Sequence, residues 1–386
     1  MKLVVQVKLL PTPEQAAALT DTLHQVNIAA NHVAALAFEK FGLRGRELPL
    51  RTLCYGDLKA GGLGAQAAQH VIKRVVDAYT TLRAGIRNGG LGGPRFKRRR
   101  KAESKPIAFR PDAAHTYDDR CLSWQVDAGT VSIWTVAGRR KHLRFTCSPD
   151  QAKTLAAHRK GESDLVHRDG KWFLLATCEV PEPEVFEPVD WVGVDRGIVN
   201  LATTSDGDNH RGRRLARYRR WQARKRAELQ AKRTRAAARR LKKRARREAR
   251  HARHVNHTIS KQVVAVAAHT GRGIALEELS GIRARVTVPR DQRACLSSWP
   301  FHQLGAFIAY KARRAGVPFI TVDPAYTSQR CPRCGHIAQA NRPARDRFCC
   351  RRCGLAGPAD VVAGVNVRDR ARSAWVFVNM PDPAPA

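Results

Sequence analysis

Residues 331–360, "CPRCGHIAQANRPARDRFCCRRCGLAGPAD", hold five cysteines in two clusters and an aspartate seven residues beyond the last of them. Cys331-x2-Cys334 and Cys350-x2-Cys353, separated by fifteen residues, have the spacing of a four-cysteine zinc ribbon. Thiolates two residues apart on a tight turn converge on one tetrahedral ion, and Gly335 and Gly354 permit the turn after each pair. Cys349 is a spare, or an alternative to Cys350. Five buried structural thiols would be the bland account of the same residues. Four thiolates leave no open position for a substrate, so Zn²⁺ held there is structural rather than catalytic.

Three acids stand at positions that suit a different metal. Asp195 ends the apolar run "WVGVD", Glu277 ends "GIALE", and Asp360 opens the last helical stretch. Each alone is ordinary: a turn aspartate, a glutamate at a strand end, an acid at a helix N-terminus where the dipole favours it. Two carboxylates at strand ends and one on a following helix are also what an RNase H-like fold uses to hold a pair of Mg²⁺ ions about 4 Å apart at a phosphodiester. Hard divalent cations take oxygen ligands, so acids and not cysteines must carry such chemistry. No Ser/His/Asp or Cys/His arrangement stands out, and there is no phosphate-cradling glycine-rich loop. His302, His336 and the histidines of 251–257 read as surface or phosphate-contacting groups.

The charge of the chain points to the substrate class. Its 386 residues carry 70 Lys+Arg against 33 Asp+Glu, a formal net charge of +37, which repels itself unless a polyanion neutralises it. Nucleic acid is the fitting partner. An anionic membrane is the rival, but no apolar run approaches the ~20 residues of a spanning helix, and "MKLVVQVKLLPTPEQ" lacks a signal-peptide pattern. Residues 211–253 hold 21 Lys+Arg and two Glu; a solvated helix pair is the ordinary explanation, strained here by like-charge repulsion. Arg219, Arg220, Arg224, Lys242 and Lys243 in this segment are candidate phosphate contacts, as are Arg95, Lys97, Arg98 and Arg99 in "PRFKRRRKAESK". Tyr218 and Trp221 either stack on bases or pack against a neighbour. Nothing in the charge separates DNA from RNA. Ten cysteines, five of them within 23 residues and the rest scattered, fit a reduced, cytoplasmic protein with one metal clip better than a secreted disulfide scaffold.

Elements that could position these groups can be read from the pattern. "KLVVQVKLL" (2–10) is a strand, and Thr12, Pro13 and Gln15 signal a capped helix start. Helix continues to Phe41, and a second stretch over 65–86 has Val71, Val75, Ala78 and Leu82 at helical spacing. Short strands follow over 106–183, with a hairpin at "RDGKWFLLATCEV". Strand 2–10 and these later strands form one small barrel with the helices of 12–86 inserted, and "PEPEVFEP" (181–188) marks a boundary. Strands then alternate with helices over 190–375, an α/β domain.

The ordered set "GVDRGIVNLATTSDG", "ALEELSGI", "YTSQRCPRCG…CRRCG" and a following acid-led helix resembles the TnpB family, transposon-associated proteins related to the compact type V CRISPR nucleases. The resemblance extends to "VKLLPTPEQ", "GGPRFKRRR" and "YKARRAGVPFITVDPAYTSQRC", so it covers nearly the whole chain. It implies a multidomain α+β protein: a wedge-type β-barrel (1–11 and 88–186), a helical recognition lobe (12–87), a RuvC-like nuclease domain of RNase H-like fold (187–327 and 357–376, with the basic helical segment 211–257), a zinc ribbon (328–356) and a tail (377–386). It implies Asp195, Glu277 and Asp360 as Mg²⁺-binding catalytic carboxylates and Cys331, Cys334, Cys350 and Cys353 as zinc ligands. The implied activity is RNA-guided cleavage of double-stranded DNA beside a short flanking motif, by two-metal hydrolysis in a single site that cuts the strands in turn. Guide RNA and target DNA are the implied partners, with one protein per RNA, in a bacterial-type cytoplasm and on the nucleoid. The family's third motif runs Asp, any residue, Asn, Ala; here Val362 replaces the Asn. That departure leaves room for a catalytically weak or silent RNA-guided regulator. A guide-independent RuvC-type nuclease would not need the N-terminal half, strand-joining transposition has no residues to support it, and a zinc-ribbon binding module would leave the α/β domain without a use.

Overall fold

In the computed structural model, which describes residues 1–279 and 301–378, alternation along "KLVVQVKLL" makes β1 (Lys2–Leu10). Val5, Val7 and Leu9 turn inward and Val4 and Leu10 face solvent, the period-two signature of a half-buried strand. β1 lies at the centre of a seven-stranded antiparallel sheet with β2 (His115–Tyr117), β3 (Leu122–Gln125), β4 (Thr130–Ile133), β5 (Arg140–Thr146), β6 (Arg159–Arg168) and β7 (Lys171–Glu179), in the order β2-β6-β7-β1-β5-β4-β3. The strands expected to make one barrel therefore share one sheet, with β2 and β3 as its outer members. The expected hairpin joins β6 to β7 with Arg168 opposite Lys171, and Asp169 and Gly170 at φ 51° and 72° take the left-handed turn that matches strand twist.

Three helices belong to the same unit, Met1–Pro181: α1 (Pro13–Phe41), α2 (Glu47–Ala60) and α3 (Ala65–Arg87). The capping box read at Thr12 is present, Thr12 Oγ1 accepting from Gln15 N and Gln15 Oε1 from Thr12 N. Val26, Ala30, Val33 and Ala37 of α1 pack with Leu50 and Cys54 of α2 and Val71, Ile72, Val75 and Tyr79 of α3. A short helix, α4 (Lys97–Glu103), precedes the stretch that reads as strands only, and a second, α5 (Pro149–His158), interrupts it. Ser148 and Gln151 form a second capping box at α5, the same local chemistry as at Thr12 in a segment too short to show helical periodicity.

In the second unit, Glu182–Ala386, a five-stranded sheet runs β10-β9-β8-β11-β12. β8 (Trp191–Asp195), β11 (Gly273–Glu277) and β12 (Phe319–Val322) are parallel, while β9 (Asn200–Thr204) and β10 (Asn209–Arg211) add an antiparallel edge. α6 (Arg213–Ala231) and α7 (Arg235–His269) carry the basic segment, and α8 (Phe301–Arg314) connects toward β12. Ile259, Val263 and Ala267 of α7 and Leu304 and Ile308 of α8 cover one sheet face through Val192, Val194 and Leu276. The last helix, α9 (Ala359–Val378), covers the other through Val367 and Ala371 against Trp191, Ala275 and Val322. Residues 379–386 of the expected tail and Ser280–Ile282 of "ALEELSGI" lie outside the described residues. Among the described residues no helix is long and apolar enough to cross a membrane.

α9 touches β8 at backbone distance. A Cβ on Gly193 would stand 2.0 Å from Gly364 O and 2.4 Å from Arg368 N. Gly193 O also accepts from Ser205 N at 2.8 Å, so strand, helix and the end of β9 lock at one point. Gly193→Ala is expected to cost about 3 kcal/mol or more through overpacking. Gly56→Ala, in α2 with nothing within 4 Å of the new methyl, should gain roughly 0.5–1 kcal/mol from helix propensity. Thermal unfolding of the two variants checks both signs, and equal melting temperatures would contradict the packing described.

Candidate metal centres

Strand register brings the first two acids together. β11 pairs in parallel with β8 so that Leu276 lies opposite Val194, which leaves Glu277 and Asp195 side by side at the C-terminal edge of the sheet, where ligands of open α/β sheets gather. Asp360 enters from the first turn of α9, whose position is set by the Gly193 contact. Burial first, and then the charges of Glu277 and Asp360, push the Asp195 carboxyl up to about 8, against the opposing pull of Arg342 and Arg196. Burial also raises Glu277, while Thr327, Arg196 and Arg370 act against it. The three acids thus form one electrostatic unit, but they do not close to the 4.8 Å span that the four cysteines reach. Asp360 is held instead by Arg342 at 3.0 Å and by Asn200 Nδ2 at 2.8 Å.

Several polar residues that hold these acids carried no signal in the sequence. Thr327 donates its hydroxyl to Glu277 Oε1 at 2.5 Å. Asn366, buried on α9, donates to the carbonyls of Thr327 and Arg330 at 2.7 and 2.8 Å, and Arg196 donates to the Glu277 carbonyl. Arg342, Thr327 and Asn366 are unremarkable in type and spacing, and only the fold reveals their use. Val362 packs in an apolar cluster with Cys331, Phe348, Cys350 and Ala359, so the side chain at the departing position belongs to the floor beneath the cysteine clip.

The clip itself has two matched knuckles. Gly335 N donates to Cys331 O and Gly354 N to Cys350 O, at 2.9 and 3.0 Å, with both glycines left-handed at φ 73° and 72°. The Sγ atoms of Cys331 and Cys353 are 3.5 Å apart and those of Cys334 and Cys350 are 3.6 Å apart. A tetrahedral Zn²⁺ with ~2.3 Å bonds needs sulfur edges of about 3.8 Å, so the set fits that ion. Cys350 and not Cys349 completes it. Burial pushes the Cys350 thiol up, but the amides of Cys353 and Arg352 and the neighbouring thiols outweigh this and hold it at about 6, the direction that favours the thiolate a metal requires.

Of the candidate phosphate contacts, Arg95, Lys97 and Arg98 are exposed at and before α4, while Arg99 is paired with Glu103 at 2.9 Å. Arg220, Arg224, Lys242 and Lys243 are exposed on α6 and α7, and Arg219 is half-buried. A cleft of about 390 Å³ between those helices is lined by Lys225, Lys232, Arg240, Lys243, Arg244 and Arg247 with Glu228 and Leu229. Tyr218 and Trp221 serve the packing alternative: Arg244 lies 4.6 Å over the Trp221 ring, and Tyr218 meets His251 at 4.6 Å.

Two stability predictions follow from this chemistry. The folded protein holds the Asp195 proton more tightly than the unfolded chain, whose carboxylate titrates at about 3.9. Stability is therefore lost as pH rises from about 4 through about 8 and is level above. In buffer without magnesium, Asp195→Asn should stabilise the protein at pH 8 by on the order of 2 kcal/mol and much less at pH 5; denaturant melts at both values measure it, and a pH-independent effect would contradict the assigned burial. Cys331→Ala should take zinc content, read by elemental analysis, from a full equivalent to near none and lower the melting temperature. Unchanged metal content and melting would mean that the cysteines are not a clip.

Comparisons with known proteins find partial matches along the chain. Residues 176–279 match a family described as "Probable transposase", and residues 301–367 match the "Cas12f1-like, TNB domain". The CRISPR-associated endodeoxyribonuclease Cas12f1 of Syntrophomonas palmitatica is 26% identical over 249 residues, 58% of this chain and 49% of that protein. The putative RNA-guided DNA endonuclease InsQ of Escherichia coli is 29% identical over 51% of this chain and 53% of its own length. A TnpB-like protein of Methanocaldococcus jannaschii is 33% identical over 31% of this chain and 43% of its own. The chain therefore spans about half the length of these curated relatives. In fold it is similar to CasPhi-2 (Cas12j), solved bound to crRNA, with a TM-score of 0.53 over 99% of both chains at 11% identity. With its acids, its cysteine clip and these matches in the same order along one sequence, the chain is similar to TnpB-like proteins and to the compact Cas12f-type proteins.

Proposed function

We propose that the protein is an RNA-guided DNA endonuclease, with one RuvC-type site that cleaves target double-stranded DNA beside a short flanking motif. The observation that carries the reading is the convergence of Asp195, Glu277 and Asp360 from β8, β11 and α9. Three acids brought together, Glu277 buried and Asp195 and Asp360 half-buried, are a costly arrangement for a fold unless a cation balances them. An all-oxygen donor set suits Mg²⁺, which when bound supplies Lewis-acid stabilisation to a phosphodiester undergoing hydrolysis. The chain's own part is to hold the donors: Thr327 orients Glu277, and Asn200 and Arg342 orient Asp360. Zn²⁺ in the four-cysteine clip is structural.

Support for the partners comes from the relatives' names and from charge. Guide RNA and target DNA are polyanions that a chain of net charge +37 would neutralise. The cleft between α6 and α7 and the exposed cations of α4 are the surfaces we assign to them. In this reading the seven-stranded sheet, with residues 1–11 and 88–186, is the wedge-type barrel, 12–87 the recognition lobe, and 187–327 with 357–376 the nuclease domain around the ribbon at 328–356. Base pairing reads the sequence, and the protein reads the flanking motif and duplex shape.

A second reading, a guide-dependent DNA-binding regulator that cleaves weakly or not at all, draws on Val362, which replaces a polar motif residue with an apolar one packed under the clip. One experiment separates the two. The protein is expressed with its native flanking DNA, the co-purifying RNA is sequenced, and the guide is retargeted to a plasmid. Wild type should give Mg²⁺-dependent double-strand breaks, and Asp195→Ala should lose at least about a thousandfold in rate while retaining RNA and target binding. Binding without breaks in wild type selects the regulator, and breaks by Asp195→Ala at the wild-type rate would sink the assignment of the site.

A further inference from the structure

The turn between β12 and the clip carries a conformational cost that its own side chain does not offset. Tyr326 is left-handed at φ 60°, a region that glycine or asparagine enters easily and that a bulky side chain avoids. The residue is 59% exposed, so burial of the aromatic does not explain the choice of residue. The strain is sustained from outside the turn. Arg370 on α9 donates to the Asp323 and Ala325 carbonyls before Tyr326, and Asn366 donates to the Thr327 and Arg330 carbonyls after it. Tyr326 O itself accepts from the amides of Gln329 and Arg330, both at 2.9 Å. α9 thus grips the backbone on each side of Tyr326 and leaves its ring in solvent. The next residue, Thr327, is buried and donates to Glu277, which sets the displayed ring one residue from a group that touches the acid unit.

A strained residue held by its surroundings and sited beside a functional centre is a pointer to function. An exposed aromatic ring flanked by cations is the combination that binds single-stranded nucleic acid: the ring takes an unpaired base and the cations take phosphates. Arg330 and Arg333 are exposed immediately beyond the turn, and Arg345, Arg347, Arg351 and Arg352 are exposed on the ribbon. We propose that Tyr326 is a stacking platform for an unpaired base of a single-stranded nucleic acid, holding a flexible strand at the edge of the three-acid site. A duplex does not suit it, because paired bases already have both faces stacked. The proposal rests on reading the acids as a phosphodiester site, but the stacking contact can be tested apart from cleavage.

The full-length chain is irradiated with a short single-stranded oligodeoxynucleotide carrying 5-iodouracil in place of thymine, a probe that bonds to aromatic side chains stacked on it. Trypsin releases residues 315–330, "AGVPFITVDPAYTSQR", whose aromatics are Phe319 and Tyr326. The adduct should map to Tyr326, survive in Asp195→Ala, and fall about tenfold or more in Tyr326→Ala with adducts on other segments unchanged. Tyr326→Gly removes both ring and strain; it should lose the adduct yet melt no lower than wild type. An oligonucleotide cross-linked only to other segments overturns the proposal, and so does a marked drop in the melting temperature of Tyr326→Gly, which would make the ring structural. A Tyr326 adduct on a protein that fails to cleave DNA would retain the platform and remove the nuclease reading alone.

Discussion

The close approach of α9 to β8 governs the second half of the molecule. A helix ordinarily packs on a sheet at about 10 Å, side chain against side chain; where glycine faces glycine, backbone can meet backbone. At Gly193 there is no room even for a methyl group, and that absence fixes the height and rotation of α9. Everything of interest on this helix inherits its place from that contact. Asp360 lies one turn before Gly364, Asn366 two residues after it, and Arg370 further along the same helix.

Two hydrogen-bonded arms connect that helix and its neighbours to the acids. One runs from Asn366 through the turn at Thr327 to Glu277, with Asn366 also donating to the carbonyl of Arg330, the residue before Cys331. The other runs from Arg342 of the ribbon back to Asp360. Val362, Cys331, Phe348 and Cys350 fill the space between ribbon and helix. A closed tetrahedral clip has no substrate position of its own, yet its four cysteines bracket the segment that carries Arg342 and directly follow the turn that carries Thr327. Asp195 and Glu277, both raised by burial, carry the opposite kind of cost: they lower stability at neutral pH, the familiar price of a site organised for binding rather than for folding.

Local chemistry was legible wherever the deciding contacts lie within a few residues. The cysteine spacing, the glycine knuckles, the capping box at Thr12 and the Asp169–Gly170 turn all fall in that class, and each stands where the pattern placed it. The capping box at Ser148 has the same chemistry, but it opens a helix of only ten residues between strands, too short for helical periodicity to mark it. The acids were legible in part. Their positions at element ends showed in the apolar runs before them, but each one alone is an ordinary terminal acid, and the ordered resemblance to a family was needed to group them.

What the sequence determined by itself is the longer helices and strands, the four-cysteine spacing and the overwhelming positive charge, because periodicity, spacing and composition are local or additive properties. Only the tertiary structure decided which groups act together. Thr327 meets Glu277 across 50 residues and Asn200 meets Asp360 across 160, and neither pairing leaves a trace in residue type or spacing. The choice of Cys350 over Cys349 and the packing of Tyr218 and Trp221 against α7 are likewise three-dimensional facts. Parallel strand register aligns Asp195 with Glu277, and a glycine contact sets the third acid beside them. Such contacts depend on how distant backbones are stacked, which hydrogen-bond register and steric fit determine and a linear pattern does not record.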